Sequence, residues 1–176
     1  MPPRLVERTY LQLSPPATGA GPAPADPSGV TIDEVVPRSV AHYRALYQAV
    51  GSGYAWRDRL AWTDERLAAY LGAPTVRLWT LREGGRDGGY FELRRDDDGG
   101  VELAYFGLAP AWHGRGLGRA LLERAIHEAW RWEAQRLWLH TCTLDAPSAL
   151  PNYLARGFTA FHRETYTVDE PDAGAP

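Results

Sequence analysis

The sequence predicts a mixed α/β (α+β) fold in which about four helices pack on a mostly antiparallel sheet of six to seven strands. Short alternating runs of apolar and polar residues, separated by glycine and aspartate clusters, indicate antiparallel strands in the middle of the chain. A helical apolar repeat follows a glycine-rich turn, and another apolar run follows that helix. This strand–helix–strand order predicts a central parallel pair within the sheet.

Composition and charge are those of an ordinary globular chain. Its 176 residues are 44% hydrophobic and 23% charged, which suits a single domain that we expect at residues 30–168. Residues 1–29 are expected to form a strand and a Pro/Gly-rich linker, and residues 169–176 a tail. The formal net charge of -3 gives no basic surface, so we expect no nucleic-acid partner.

Several classes of protein have no support in the sequence. Cys142 is the single cysteine, and no apolar stretch has the length of a signal peptide core or a membrane span. The five histidines show no close ligand spacing. We therefore expect a cytoplasmic protein without a disulfide, a membrane partner or a bound metal.

The first part of the chain predicts two strands and two helices. Alternating apolar residues predict strands at 5–13 and 30–36, joined by a Pro/Ala/Gly-rich loop. Helical apolar spacing predicts helices at 40–50 and 64–71, and Thr63 has the position of a helix cap.

The second part predicts a meander followed by a crossover. The three meander strands are expected at residues 75–81, 89–95 and 101–108. A helix at 117–134 and a strand at 136–143 complete the parallel crossover. A helix at 148–155 and a strand pair through 158–168 end the predicted domain.

The turn before the helix at 117–134 has the composition of a pyrophosphate-binding site. It combines glycines with two arginines: His113, Gly114, Arg115, Gly116, Leu117, Gly118 and Arg119. Backbone N–H groups of such a turn, with the positive end of the following helix, can converge on one anion. The turn also follows the carboxyl end of a strand, where open α/β sheets bind ligands.

Other interpretations of this turn fit less well. A dinucleotide fingerprint needs glycine at the sixth position counted from Gly114, and Arg119 occupies that position. A Walker loop needs Gly-Lys-Ser or Gly-Lys-Thr, and neither follows. The residues of the turn are also compatible with a structural connector that caps the helix and binds no ligand, and the turn alone does not distinguish these two interpretations.

Two motifs together resemble the GCN5-related N-acetyltransferase (GNAT) superfamily. Residues 113–118 resemble its acetyl-CoA signature, although His113 stands where the family has Arg or Gln. Residues 153–158 resemble a second motif, with Ala149 at its usual place upstream and Ala146 where the family often has Asn. The resemblance implies a GNAT-like fold with a splayed central parallel pair, and acetyl-CoA as the acyl donor.

The resemblance also implies where the donor binds. In the family, the strand before the turn offers backbone N–H groups to the pantetheine arm and acetyl carbonyl, here at Phe106, Gly107 and Leu108. Residues 113–119 would form the pyrophosphate cradle. The segment before residue 75 is the part that varies most in the family, so the acceptor does not carry over. A homodimer is one assembly that the resemblance allows.

Glu102 and Tyr153 are the catalytic residues that the resemblance implies. Glu102 has the register of a general base, and alternation predicts that it shares a strand face with Ala104, Phe106 and Leu108. About 13 Å of extended strand separates Glu102 from Phe106, which predicts proton transfer through an ordered water. The phenol of Tyr153 would protonate the departing thiolate.

Glu92 is an alternative base, and water is a third. If Glu92 lies opposite Ala104 in the hairpin, Glu92 and Glu102 share one face of the sheet. If it lies opposite Leu103, the two glutamates are on different faces. The hairpin register therefore decides between these arrangements.

An aromatic-rich segment is expected to cover the acceptor. We assign acceptor binding to Tyr47, Trp56, Tyr90 and Glu92, and Asp58 is a second carboxylate that could hold an ammonium group. Packing of these aromatic side chains against the sheet explains the same pattern. The sequence leaves both interpretations open.

His140, Cys142 and Asp145 form a cluster that could indicate nucleophilic thiol chemistry. Neighbouring residues of a strand point to opposite faces, so we expect no thiol–imidazole dyad here. Cys142 is expected to be a small packed side chain.

These observations predict an enzyme that moves an acetyl group from acetyl-CoA directly to a primary amine of a small molecule or peptide. A transferase that uses a longer acyl-CoA is an alternative, and the space beside Phe106 would distinguish it. A non-catalytic acyl-CoA-binding or regulatory domain is another. That alternative requires Glu102 and Tyr153 to face away from the thioester.

Overall fold

A computed structural model of the chain describes residues 4–54 and 56–168, and the predicted tail at 169–176 lies outside these residues. Within them, one seven-stranded sheet carries four α-helices and a short 3-10 turn. The strands are β1 (Arg4–Leu13), β2 (Val30–Glu34), β3 (Val76–Glu83), β4 (Arg86–Arg95), β5 (Val101–Leu108), β6 (Leu137–Cys142) and β7 (Thr159–Val168). The predicted mixed α/β class is confirmed.

The helices are α1 (Val40–Gly51), α2 (Asp64–Gly72), α3 (Leu117–Arg131) and α4 (Ala149–Ala155). The hydroxyl of Thr63 accepts a hydrogen bond from the backbone N–H of Arg66, which confirms the predicted cap of α2. The prediction that α3 continues to residue 134 is wrong. It ends at Arg131, and Glu133 two residues later has a positive φ of 56°, which a helix cannot accommodate.

The sheet has the order β2-β3-β4-β5-β6-β1-β7, and each neighbouring pair is antiparallel except β5 and β6. The predicted meander and the central parallel pair are therefore confirmed. The parallel ladder is short, because only Val101 and Glu102 of β5 pair with Leu137 and Trp138 of β6. Beyond these residues the two strands diverge, as the splayed pair requires.

The prediction of two strands between residues 158 and 168 is wrong, because this segment forms the single strand β7. Its partner is β1, which lies between β6 and β7. A bulge leaves Phe161 without a directly opposite residue, since His162 pairs with Tyr10 and Ala160 with Leu11. The interruption of the pattern is thus a bulge within one strand rather than a turn between two.

A second bulge changes which side chains of β5 share a face. Glu92 pairs with Tyr105, and Leu93 pairs with Leu103, so Ala104 has no direct partner on β4. Glu102 consequently shares its face with Tyr105 and Gly107, whereas Phe106 and Leu108 lie on the opposite face. The predicted grouping of Glu102 with Phe106 and Leu108 is therefore wrong.

Two hydrophobic cores cover the two faces of the sheet. Leu93 and Leu103 pack with Leu121 of α3 in the larger core. Tyr43 of α1 packs with Tyr90 in the smaller core, on the face that carries Glu92 and Glu102. Among the described residues, no helix has the length and apolar character needed to cross a membrane.

Candidate functional site

A cavity of about 840 Å³ opens where β5 and β6 diverge. Its wall combines the end of β5, the glycine-rich turn, the start of α3, part of α4 and the end of β6. The connection between α1 and α2 contributes Trp56, Asp58 and Arg59. This volume is in the range of sites that hold a drug-sized ligand or a cofactor.

The glycine-rich turn exposes its backbone to this cavity. Gly114 and Gly116 have φ values of +74° and +71°, in the left-handed region that favours glycine. A Cβ atom added at either position would meet no atom within 4 Å, so the space in front of the turn is open. Gly116 caps the 15-residue helix α3 without a side-chain hydrogen bond, which leaves the first-turn N–H groups free for a ligand.

The charged residues of the turn have different positions. Arg119 lines the cavity and forms an ion pair with Glu123. Arg115 lies outside the cavity wall, where its guanidinium binds Glu83 at 2.7 Å. Of the two arginines predicted for the cradle, Arg119 is therefore the one beside the ligand space.

The side chain of His113 contacts two other parts of the cavity wall. Its Nε2 lies 2.9 Å from the carbonyl oxygen of Leu108 and 3.4 Å from the hydroxyl of Tyr54. The side chain thus connects the turn to the end of β5 and to the loop after α1. His113 and Tyr54 both line the cavity.

The unpaired edge of β5 forms the next part of the wall. Phe106, Gly107 and Leu108 line the cavity at the level where β6 no longer pairs with β5. Backbone groups on this edge have no strand partner and can bind an extended ligand. Gly107 also permits close packing of α1, because a Cβ there would lie 2.6 Å from Cγ1 of Val50.

Tyr153 closes the cavity from α4. Its ring is buried and packs against the rings of Phe106 and Phe158, with centroid distances of 5.9 and 6.0 Å. Burial, and then the negative charge of Asp145, raise the pKa of the Tyr153 hydroxyl well above its ordinary value. The phenol therefore retains its proton and can act as a donor.

Glu102 lines the cavity and is largely buried. Its Oε2 accepts two hydrogen bonds from Arg94, at 2.5 Å from Nη2 and 3.0 Å from Nε. Arg94 was not among the predicted site residues. It lies directly opposite Glu102 on β4, so the hairpin register is the signal that could have identified this cross-strand pair.

Glu92 is fully buried and lies outside the cavity wall. Its carboxylate accepts hydrogen bonds from the hydroxyls of Tyr43, at 2.7 Å, and Tyr70, and from Arg59 at 3.3 Å. Burial raises the pKa of Glu92, and Arg59 opposes this effect. Glu92 pairs with Tyr105, which is neither predicted register, yet the bulge puts it on the same face as Glu102.

An aromatic cage in the cavity wall is already filled by a cation of the protein. The guanidinium of Arg59 lies 4.0 Å from the ring centroid of Trp62, 4.2 Å from that of Tyr70 and 5.3 Å from that of Tyr105. Spacing in the sequence could not reveal this arrangement, because the cage joins the connection between α1 and α2, helix α2 itself and β5. Arg59 therefore occupies the kind of position that an acceptor ammonium could take.

The structure separates the predicted acceptor residues. Trp56 and Asp58 line the cavity. Tyr47 and Tyr90, like Glu92, are buried beneath its wall.

The wall opposite β5 comes from β1, β6 and β7. His140 and Cys142 both line the cavity, because residues two positions apart share a strand face, so the predicted separation of these two side chains is wrong. The Asp145 carboxylate accepts hydrogen bonds from the Thr141 hydroxyl and from the N–H of Cys142. Within residues 4–54 and 56–168, no group of three or more His, Cys, Asp or Glu side chains could hold a metal.

An open glycine turn at a helix N-terminus, beside a splayed parallel pair, defines an α/β domain whose cavity has the geometry of an anion-binding site. Residues 42–158 match the model of the acetyltransferase (GNAT) family, which covers more than half of the chain. The chain belongs to this family.

Two curated relatives are similar to parts of this chain. An uncharacterized N-acetyltransferase of Mycobacterium tuberculosis is 42% identical over 77 residues, which is 44% of this chain and 49% of that protein. The mycothiol acetyltransferase of Corynebacterium glutamicum is 27% identical over 93% of this chain and 58% of its own length. The chain thus spans about half the length of the curated relatives it matches.

A solved structure shares the fold. The GCN5-related N-acetyltransferase from Sphaerobacter thermophilus superposes with a TM-score of 0.68 at 21% identity. The match covers 94% of this chain and 53% of that chain. It supports the fold assignment.

Proposed function

We propose that this protein transfers the acetyl group of acetyl-CoA directly to a primary amine of a small molecule or peptide. The open glycine turn at the start of α3, next to the splayed strands, is the observation that carries the proposal. Membership of an acetyltransferase family supports the same reaction. The acceptor is defined here only by its amine.

The donor would bind along the cavity wall from the turn to the end of β5. The pyrophosphate would accept hydrogen bonds from first-turn N–H groups of α3, beginning at Leu117, with Arg119 adding positive charge. The pantetheine arm would follow the unpaired edge of β5 at Phe106, Gly107 and Leu108. This arrangement depends on backbone groups, so it tolerates His113 and Ala146 at positions where the family has larger polar side chains.

In the reaction, the amine nitrogen attacks the thioester carbonyl carbon, the new C–N bond forms and the C–S bond breaks. Backbone N–H groups of β5 near Gly107 would stabilise the oxyanion. Tyr153 would protonate the departing thiolate and recover a proton from the tetrahedral nitrogen. Glu102 would act as a base through water, and no acyl-enzyme forms.

The cavity geometry supports acetyl transfer over two alternatives. Glu102 and Tyr153 both line the cavity, whereas a non-catalytic domain would have no need to expose them there. Tyr153 packs against Phe106 at the end of β5, and we expect these two rings to limit the room for a longer acyl chain. Both features favour a small acyl group and a working catalytic site.

Binding of acetyl-CoA is the first test, by calorimetric titration of the protein and of the variant Gly116→Asp. The variant adds a carboxylate at the proposed pyrophosphate position. Like charges at about 4 Å repel by roughly 4 kcal/mol in a partly shielded site, so we expect at least a 100-fold loss of affinity.

Gly19→Asp is the matched control for that experiment. Gly19 also has a positive φ, of +76°, and open space for a Cβ, but it lies in the exposed loop before β2. Gly19→Asp introduces the same backbone strain and the same charge at a position away from the proposed pyrophosphate site. Its affinity for acetyl-CoA should therefore equal that of the natural sequence. Equal affinity of Gly116→Asp would show that acetyl-CoA does not bind at this turn.

A further inference from the structure

We propose that His140 accepts the proton that an acceptor ammonium must lose before it attacks the thioester. The inference rests on the proposed function, keeps Tyr153 as the acid, and assigns to His140 the proton-accepting role that was given above to Glu102. It starts from the position of His140 in the cavity wall, on the strand that faces the end of β5 across the splay.

The strand register puts His140 nearer than Glu102 to the reacting carbonyl. Glu102 lies beside Trp138 in the parallel ladder, and His140 follows Trp138 by two residues on the same face. Two residues of a strand advance about 7 Å, toward the carboxyl end where Phe106 and Gly107 line the cavity. His140 therefore lies between the level of Glu102 and the level of the acetyl group.

Other candidate bases are engaged. Oε2 of Glu102 accepts both of its hydrogen bonds from Arg94, and Glu92 is buried beneath Arg59. His140, by contrast, keeps part of its surface open to solvent and packs against the Tyr10 ring at a centroid distance of 5.6 Å, and no hydrogen bond within the described residues involves its nitrogens. The lone pair of the unprotonated ring nitrogen is thus available to accept a proton.

The charges around His140 favour a neutral imidazole. Partial burial and the positive charge of Arg8 lower the pKa of His140, opposed by carboxylates on three sides. These carboxylates are Glu102 on β5, Asp145 after β6 and Asp58 between α1 and α2. Besides Arg8, the titratable side chains of β1 and β7 on the same sheet face as His140 are Tyr10, His162, Glu164 and Tyr166. At neutral pH the imidazole is therefore unprotonated and able to accept a proton.

The proposed step balances without another reactant. The ammonium gives one proton to the imidazole, and the resulting amine forms the C–N bond as the C–S bond breaks. The thiolate leaves with a proton from Tyr153, which regains one from the tetrahedral nitrogen. The imidazolium then releases its proton to solvent, so the net reaction yields the amide, the thiol of CoA and one proton.

Two small amines of similar shape separate this role from a structural one. Ethylamine is an ammonium ion at neutral pH and must lose a proton, whereas 2,2,2-trifluoroethylamine is uncharged and needs no base. Acetyl transfer to each is measured as thiol release from acetyl-CoA between about pH 6 and 9. The variants are His140→Gln and the control His162→Gln, which changes a histidine of the same sheet face outside the cavity wall.

We expect His140→Gln to lower kcat/KM for ethylamine by about 100-fold at pH 7 and to leave trifluoroethylamine transfer unchanged. The loss should shrink as pH rises, because more ethylamine is then already neutral. Acetyl-CoA affinity should be the same in all three proteins. His162→Gln should behave like the natural sequence with both amines.

The other outcomes overturn one proposal or the other. An equal loss with both amines, no loss with either, or an equal loss in His162→Gln removes His140 from the proton-accepting role. A natural protein that binds acetyl-CoA yet transfers acetyl to neither amine contradicts the proposed amine acetylation itself. The two failures are thus distinguishable in one set of measurements.

Discussion

The surroundings of Tyr153 suit its hydroxyl to the proposed role of proton donor. Burial and the charge of Asp145 raise its pKa, so the hydroxyl keeps its proton throughout the neutral range. A phenol is a weaker acid than a thiol, so its proton moves only as the C–S bond breaks and charge builds on sulfur. The raised pKa thus prevents loss of the proton before the reaction needs it.

Tyr153→Phe should lower kcat by about 100-fold or more while leaving the affinity for acetyl-CoA unchanged. The substitution removes the hydroxyl and keeps the ring that packs between Phe106 and Phe158. Calorimetric titration and steady-state thiol release measure the two quantities. Unchanged turnover would assign protonation of the thiolate to another donor, such as water.

At the scale of elements, the connection between α1 and α2 is held to the sheet by a buried ion pair. Arg59 lies in the aromatic cage above Glu92, and Glu92 also accepts hydrogen bonds from Tyr43 of α1 and Tyr70 of α2. One carboxylate therefore joins both helices and their connection to β4. This cluster fixes the wall that carries Trp56 and Asp58.

Glu92→Gln should lower the free energy of unfolding by about 3–5 kcal/mol, because it leaves the Arg59 charge buried without its partner. Asp64→Asn is the control, since Arg44 and Asp64 form a more exposed ion pair between the same two helices. Loss of that pair should cost less than about 1 kcal/mol. Urea denaturation measures the free energy of unfolding of both variants. Equal losses would show that the buried Glu92–Arg59 pair contributes no more to stability than the more exposed Arg44–Asp64 pair.

The sequence predicted the elements better than the faces they present. Hydrophobic periodicity identified the helices and the meander, and the glycine turn was recognisable because its residue types are required by its backbone. The bulge at Ala104 was not predicted, because nothing in the residue types of β5 marks it. The unpaired residue reverses which side chains beyond it point to each face of the sheet. The ion pair of Glu102 with Arg94 and the cage around Arg59 depend on the same register.

At the scale of the whole molecule, β1 determines how the sheet is completed. The sequence predicts a strand and linker at residues 1–29 and a separate domain at residues 30–168, and that division stays a prediction. In the structure β1 pairs with β6 on one side and β7 on the other, over most of its length. Local patterns cannot identify such partners, because pairing such as that of Leu13 with Leu137 joins residues far apart in the chain.

Two leucines on β1 test how much this strand contributes to stability. Leu11 is fully buried in the larger core, whereas Leu5 on the same strand is 67% exposed. Leu11→Ala should lower the free energy of unfolding by about 2–5 kcal/mol, and Leu5→Ala should change it by no more than about 0.5 kcal/mol. Denaturant titration measures both. Similar small effects would mean that β1 is an accessory to a sheet that is stable without it.

The position of β1 also has a consequence for timing. Leu13 is made 124 residues before its partner Leu137, and the β7 partners follow later still. At a synthesis rate of about 5–20 residues per second, the strand waits on the order of 10 s before either neighbour exists. Strand β1 is therefore made before the other strands of this sheet but is among the last to pair, so its long-range contacts close the sheet late in folding.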